Sequence, residues 1–211
     1  MPDVGGEVLA TRVAFLELQD ERRLVQEGYE LLDEKRMLLA TEIMRQLRRY
    51  RELGQRLDEL AQQAREALTG AVDACGFDDL TVQPPQSLVG YVLREDASQF
   101  LGIRLLDAGL ELASPGTEAA PVQLLPEVRA CAGAFHQLLA GHAAAAACAG
   151  NLRRLAREYA RTERRARALE NVVLPEIDVS LRYIEEQLDA LDQEEAVRVR
   201  NAGKSAAMAG G

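Results

Sequence analysis

The sequence predicts a mainly α fold: a long antiparallel two-helix coiled coil built from the N- and C-terminal parts, with a small mixed head between them. Three observations carry this. The 211 residues are 28% charged, 47% hydrophobic and only 4% aromatic, with no Trp. That is the composition of long helices packed through narrow seams, whereas a β-sandwich draws on more aromatic and β-branched residues. Apolar residues recur at heptad spacing near both ends, and Gly70, Gly76, Pro84 and Pro85 interrupt the middle.

Residues 1–7 (MPDVGGE) have turn composition and read as a flexible lead-in. A helix is predicted over 8–68, a stretch without proline and interrupted only by Gly28 and Gly54. Within it Leu18, Val25, Leu32, Leu39, Gln46, Leu53, Leu60 and Ala67 recur every seven residues. A second row, Tyr29, Arg36, Ile43, Tyr50, Leu57 and Ala64, is offset by four. Two such rows make the seam of a coiled coil. At ~1.5 Å per residue, sixty residues span roughly 90 Å.

The head is predicted over 69–124, where Gly70, Gly76, Pro84 and Pro85 break the helix. Ser87–Leu93 reads as a short strand, and Gly109–Gly116 holds a second one before a Ser-Pro-Gly turn, which leaves room for a β-hairpin. A second long helix is predicted over 125–200. Its seam steps by three and four through Leu152, Leu155, Tyr159, Thr162, Ala166, Leu169 and Val173, then Ile177, Leu181, Ile184, Leu188 and Leu191. The successive fours after Leu169 form a stutter, which locally unwinds a left-handed supercoil. Pro175 falls inside it, removes one backbone donor, frees the carbonyl of Asn171 and kinks the helix. Residues 201–211 read as a flexible tail.

Short connections make the antiparallel hairpin of helices the economical topology. Setting Leu9 level with Val199 brings Arg45, Arg48, Arg49, Arg51 and Arg56 opposite Arg153, Arg154, Arg157, Arg161, Arg164, Arg165 and Arg167, as a basic belt. The formal net charge is −9. Residues 69–147 hold 3 basic and 9 acidic side chains, against 11 and 14 before them and 11 and 11 after. The head is therefore the acidic part, and the overall charge argues against nucleic acid as a partner.

No run approaches the ~20 apolar residues that span a bilayer, and no leader opens the chain. The expectation is a cytoplasmic protein without direct membrane insertion. Cys75, Cys131 and Cys148 show no CxxC spacing and read as reduced thiols. Ala202–Ser205 (AGKS) imitates the end of a phosphate-binding loop, but Arg198 stands where the motif needs its first glycine. Cys131, His136, His142 and Cys148 do not share one helix face as four metal ligands would. No carboxylate pair sits beside a His or a nucleophile. The reading is a non-catalytic chain without cofactor or metal.

Residues 162–195 (TERRARALENVVLPEIDVSLRYIEEQLDALDQEE) resemble the C-terminal helix of the D subunit of the V-type and archaeal-type rotary ATPases. The matching positions are Arg164, Arg165, Ala168, Leu169, Glu170, Val172, Val173, Pro175, Tyr183 and Ile184. In the N-terminal helix, Thr11, Arg12, Leu16, Gly28, Leu31, Leu32, Lys35 and Arg36 also match. The likeness covers both helices, roughly two thirds of the chain, and implies the central stalk, or rotor shaft, of the motor. It implies as partners the hexamer of nucleotide-binding A and B subunits, the F subunit, and the funnel-shaped subunit above the membrane ring. Arg45, Arg48, Arg49, Arg157, Arg161 and Arg164 are then candidate contacts to the hexamer or to the F subunit. A free-standing coiled-coil adaptor is the alternative from another class. An F-type gamma shaft would need a larger α/β domain than ~55 head residues supply.

Overall fold

The computed structural model describes residues 10–78, 91–112 and 125–209, with the side chains of Leu112 and of residues 203–209 excepted. The expectations for residues 1–7, for Pro84 and Pro85, and for the Ser-Pro-Gly turn lie outside the described residues. The chain divides into two compact units, Met1–Arg36 with Ala160–Gly211, and Met37–Tyr159.

Helix α1 spans Arg12–Cys75. Its start is set by Thr11, whose hydroxyl accepts the backbone N–H of Ala14 at 3.1 Å, the bond of an N-cap. The helix passes the expected boundary at residue 68 because packing continues beyond Gly70: Ala71 is fully buried. An isolated glycine in a helix costs only about 1 kcal/mol. The helix stops at Gly76, which takes φ +78° and donates its N–H to the Val72 carbonyl at 2.8 Å. This is the left-handed glycine cap that an L-residue adopts poorly.

A two-stranded antiparallel hairpin follows, with β1 at Tyr91–Phe100 and β2 at Ile103–Leu112. The strands expected at 87–93 and 109–116 caught only the outer ends of these two. The turn-side parts, REDASQF and IRLLDA, were not expected as strand: β1 is mostly polar and exposed there, and in β2 only Leu105 is buried. The turn is Leu101-Gly102, with φ of +49° and +82°. Positive φ at both central positions is the geometry of a type I′ turn, whose twist matches that of the strands.

Helix α2 spans Pro126–Ala168, with proline in the first turn where its missing N–H is harmless. It leads into a π-helical turn, Leu169–Val173, and then α3 at Leu174–Ala209. The backbone N–H of Leu174 donates to the carbonyl of Leu169, five residues back. Where the sequence predicts a kink near Pro175, the helix has a widened turn just ahead of the proline. A π turn holds about one residue more than an α turn, so it absorbs the run of four-residue steps that the seam requires. The α3 backbone continues to Ala209, through residues expected to form a flexible tail.

In the unit Met1–Arg36 with Ala160–Gly211, α1 pairs antiparallel with the C-terminal helices. Arg22 Nε meets Asp178 Oδ1 at 2.6 Å, and Arg12 meets Asp192 at 3.2 Å. Gly28 packs against Leu169 of the π turn. Thr162, Ala166, Ile177 and Ile184 are buried. In the unit Met37–Tyr159, α1 and α2 also run antiparallel: the Cys148 thiol lies 3.5 Å from the Gln46 carbonyl, and Gly141 faces Leu57 and Leu60. There Leu39, Leu105 and Leu155 form a buried cluster, with Ile43, Phe100, Ile103 and Tyr159 packed on it. The hairpin thus contributes Leu105 to the same core as the helices.

Candidate functional site

Within the unit Met37–Tyr159, the hairpin is held to the helices by three polar latches around the Leu105 core. The amide of Asn151, on α2, donates to the Leu106 carbonyl at 2.7 Å and accepts the Leu106 N–H at 2.8 Å. It copies the pairing of a neighbouring strand and satisfies the outer edge of β2 at that residue. Arg49, on α1, grips both carboxylate oxygens of Asp107 at 2.9 Å. At the open end of the hairpin, Tyr91 Oη and His136 Nδ1 are hydrogen-bonded at 2.9 Å, with ring centroids 4.8 Å apart.

Beneath the latches lies a buried polar layer. Glu42 accepts two hydrogen bonds from Arg45 at 2.7 Å and one from Gln46 at 2.9 Å. The hydrogen bond from Arg45 holds the Glu42 carboxyl below its ordinary range. Burial pushes the Cys148 thiol up, against the opposing pull of Arg49. Cys148 therefore packs as a neutral thiol rather than a nucleophile. Arg154 donates to Asn151 Oδ1 at 2.9 Å, which adds a further hydrogen bond to the amide that holds β2. An arrangement of this kind fixes register and position.

The expected basic belt takes another register. Gln46, expected to stand level with Thr162, lies against Cys148 instead, about two heptads away. In this unit Arg45, Arg49 and Arg56 stand beside the Ala-dense stretch of α2, where small side chains let the helices approach closely: a Cβ on Gly141 would sit 2.9 Å from Leu57 Cδ2. Arg45 is engaged with Glu42 and Arg49 with Asp107. Arg48 and Arg157, in the same unit, are exposed with no ion pair among the described residues. So are Arg161 and Arg164 in the other unit. The resemblance motif also separates by environment. Ile184 is buried, Leu169 and Val173 are half-buried, and Arg164, Arg165, Ala168, Glu170, Val172, Pro175 and Tyr183 are exposed. Among the described residues no three His, Cys, Asp or Glu side chains group as metal ligands, and no helix is long and apolar enough to cross a membrane. The side chains of Gly203–Ser205, within the AGKS tetrapeptide, lie outside the described residues.

A latched hairpin between two long helices, with seam residues running along both, is one continuous pattern over most of the chain. A family model described as the D subunit of ATP synthase matches it over residues 14–204. The chain belongs to this family. Among curated relatives, it is 28% identical over 202 residues to the D subunit of the A-type ATP synthase of Methanopyrus kandleri, covering 92% of this chain and 84% of that one. It is 28% identical over 203 residues to the D subunit of the V-type ATP synthase of Thermus thermophilus, covering 92% and 86%. With the D subunit of the V-type ATP synthase of Anaeromyxobacter dehalogenans the identity is 30% over 193 residues, covering 90% and 92%. Membership of this D-subunit family makes the chain a stalk subunit of a V/A-type ATPase.

The latches were not read from the sequence. Asn151 carried a signal, because it falls between Cys148 and Leu155 at seam spacing, where a buried amide needs partners. Asp107 and Tyr91 carried none, since their partners are 58 and 45 residues away.

Proposed function

We propose that the chain is the non-catalytic central rotor shaft of its V/A-type ATPase. It turns within the hexamer of nucleotide-binding A and B subunits, and couples ATP hydrolysis or synthesis there to proton or sodium translocation. The family match through both long helices, from residue 14 to residue 204, carries this reading. The physical requirements of a shaft support it: torque passes only through helices that do not slide past one another. A buried polar layer such as Glu42, Gln46, Cys148 and Asn151 resists sliding, because each shift strands a desolvated group at a cost of ~1–3 kcal/mol.

The F subunit, bound at the side of the shaft, and the funnel-shaped subunit above the membrane ring are the other proposed partners. The exposed guanidinium groups of Arg48, Arg157, Arg161 and Arg164 are proposed to meet carboxylates of the hexamer or of the F subunit. Arg45 and Arg49 are also proposed contacts, but they must first release or share their acids. The motif residues Arg165, Ala168, Leu169, Glu170, Val172, Val173, Pro175, Tyr183 and Ile184 are proposed to shape the part of the shaft inside the hexamer. The test is co-purification from the host with a tagged chain, at low and then high salt. Recovery of the A, B and F subunits in fixed ratio supports the proposal. Recovery of the chain alone, or only as a self-assembled dimer, overturns it in favour of the coiled-coil adaptor.

A further inference from the structure

The two edges of the hairpin differ. Leu106 turns its N–H and carbonyl outward to Asn151, and its cross-strand partner is Ala97. Leu106 and Ala97 are therefore a non-hydrogen-bonded pair, so the N–H and carbonyl of Ala97 point away from β2 as well. By the two-residue period, those of Leu93, Glu95 and Gln99 do the same. None of these groups has a partner among the described residues. The strand between its ends, Val92 to Gln99, is exposed throughout. A long open edge is a template for another strand.

The side chains narrow what that strand can be. Arg94 is already paired with Glu111 at 2.7 Å, and Asp107 is held by Arg49. Glu95 and Asp96 have no ion pair among the described residues, so the uncompensated charge of the edge is acidic. Val92 and Leu93, about half exposed at 48% and 50%, add an apolar end. A second copy is disfavoured in the registers that pair the charged centre of the strand with itself. Antiparallel registers that centre a self-paired β1 on Arg94, Glu95 or Asp96 each set two like charges face to face, which is destabilising.

We propose that the open edge of β1 receives an extended segment of another subunit of the assembled ATPase, one that carries Lys or Arg opposite Glu95 and Asp96 and apolar side chains beside Val92 and Leu93. Backbone hydrogen bonds supply the attachment and the charges set the register, as in strand addition elsewhere. Asn151 holds the opposite edge, so the hairpin presents β1 outward. The inference rests on the proposed membership of a rotary complex.

The test is amide hydrogen exchange of β1 in the free full-length chain and in the complex isolated through a tag on this chain. The expected result is exchange at least tenfold slower in the complex at Leu93, Glu95, Ala97 and Gln99. Ala97→Pro should remove that protection, while the β1–β2 ladder stays protected because the Ala97 N–H takes no part in it. A Glu95→Lys, Asp96→Lys double variant should weaken the protection without touching the ladder. A normally assembled complex in which these amides exchange as fast as in the free chain overturns the inference alone. Slow exchange already in the free monomer, or a dimer by mass, also overturns it, since the edge is then covered by this chain itself. A chain that recovers no other ATPase subunit overturns both this inference and the proposed function.

Discussion

The side-chain amide of Asn151 pairs with both backbone groups of Leu106, at 2.7 and 2.8 Å, and thereby joins the hairpin to α2. Asn151 is 2% exposed, so water cannot readily replace it. Asn151→Ala leaves the Leu106 N–H and carbonyl and the Arg154 guanidinium without this partner. Stranded groups cost ~1–3 kcal/mol each, and partial access to water at Leu106 softens the sum. The expected loss is about 2–3 kcal/mol in urea unfolding. Asn151→Asp should lose nearly as much, because a carboxylate repels the Leu106 carbonyl. A loss under about 0.5 kcal/mol for both variants would show that the latch is not a support.

Leu101 holds φ at +49° in the hairpin turn, a conformation that costs an ordinary L-residue about 1 kcal/mol or more. Leu101→Asn should stabilise the protein by ~0.5–1 kcal/mol, since Asn-Gly is the preferred type I′ pair. Thermal unfolding of the two chains checks this. A destabilised variant would mean that the Leu101 side chain, 41% exposed, contributes more packing than its backbone costs.

Much of the fold was legible because heptad patterns are local and repeated. In the unit Met1–Arg36 with Ala160–Gly211, the predicted seam positions Thr162, Ala166, Ile177 and Ile184 are buried, and Leu169, Val173, Leu181 and Leu188 are half-buried. Leu191, the last of that predicted row, is 54% exposed, and in the other unit Tyr50 falls in the predicted row of α1 yet is 42% exposed. The register was not legible, because a seven-residue repeat fits its partner almost equally well one or two heptads away. Polar residues decide between those alternatives, and Gln46 with Cys148 does so here. The hairpin was expected, but the full length of its strands was not legible: β1 is exposed from Val92 to Gln99, so no burial pattern marks it, although β2 alternates exposed with half-buried or buried residues.

Glu42 supplies a pH test. Its folded-state pKa lies below the ordinary 4.5, chiefly through the hydrogen bond from Arg45. A depressed carboxyl contributes stability that is fully present above the unfolded value and is lost as pH falls through the folded one. Wild-type stability should therefore drop in the window below about pH 4.5. Glu42→Gln should be less stable at neutral pH by about 1 kcal/mol, a modest figure because the Arg45 end of the pair is open to solvent. The difference should shrink as pH falls below that window. Urea midpoints from pH 3 to 7 read it directly, and a constant difference across the range would contradict the assignment.

Pro175 follows the π turn rather than interrupting an α-helix. In a regular helix, proline costs about 3 kcal/mol relative to alanine. The widened turn, with Leu174 bonded back to Leu169, already displaces the carbonyls that a proline ring would strike. Pro175→Ala should therefore gain only ~0.5–1.5 kcal/mol, and the π turn should survive because Leu169, Val173, Ile177 and Leu181 need it to stay on one seam. A crystal structure and unfolding curve of the variant decide the point. A regular α-helix through residue 175, with a gain near 3 kcal/mol, would mean that the proline imposes the π turn.

Rotation is the most direct test of the shaft proposal. The complex is immobilised through its nucleotide-binding subunits, and a bead is attached to this chain at an introduced Asp73→Cys, with Cys75 and Cys131 replaced by Ser. Asp73 is exposed near the end of α1, so the label should not disturb the seam. ATP should drive the bead round in one direction, and its removal should stop it. A bead that stays still while the same complexes hydrolyse ATP would place this chain among the stationary parts and contradict its role as the rotor.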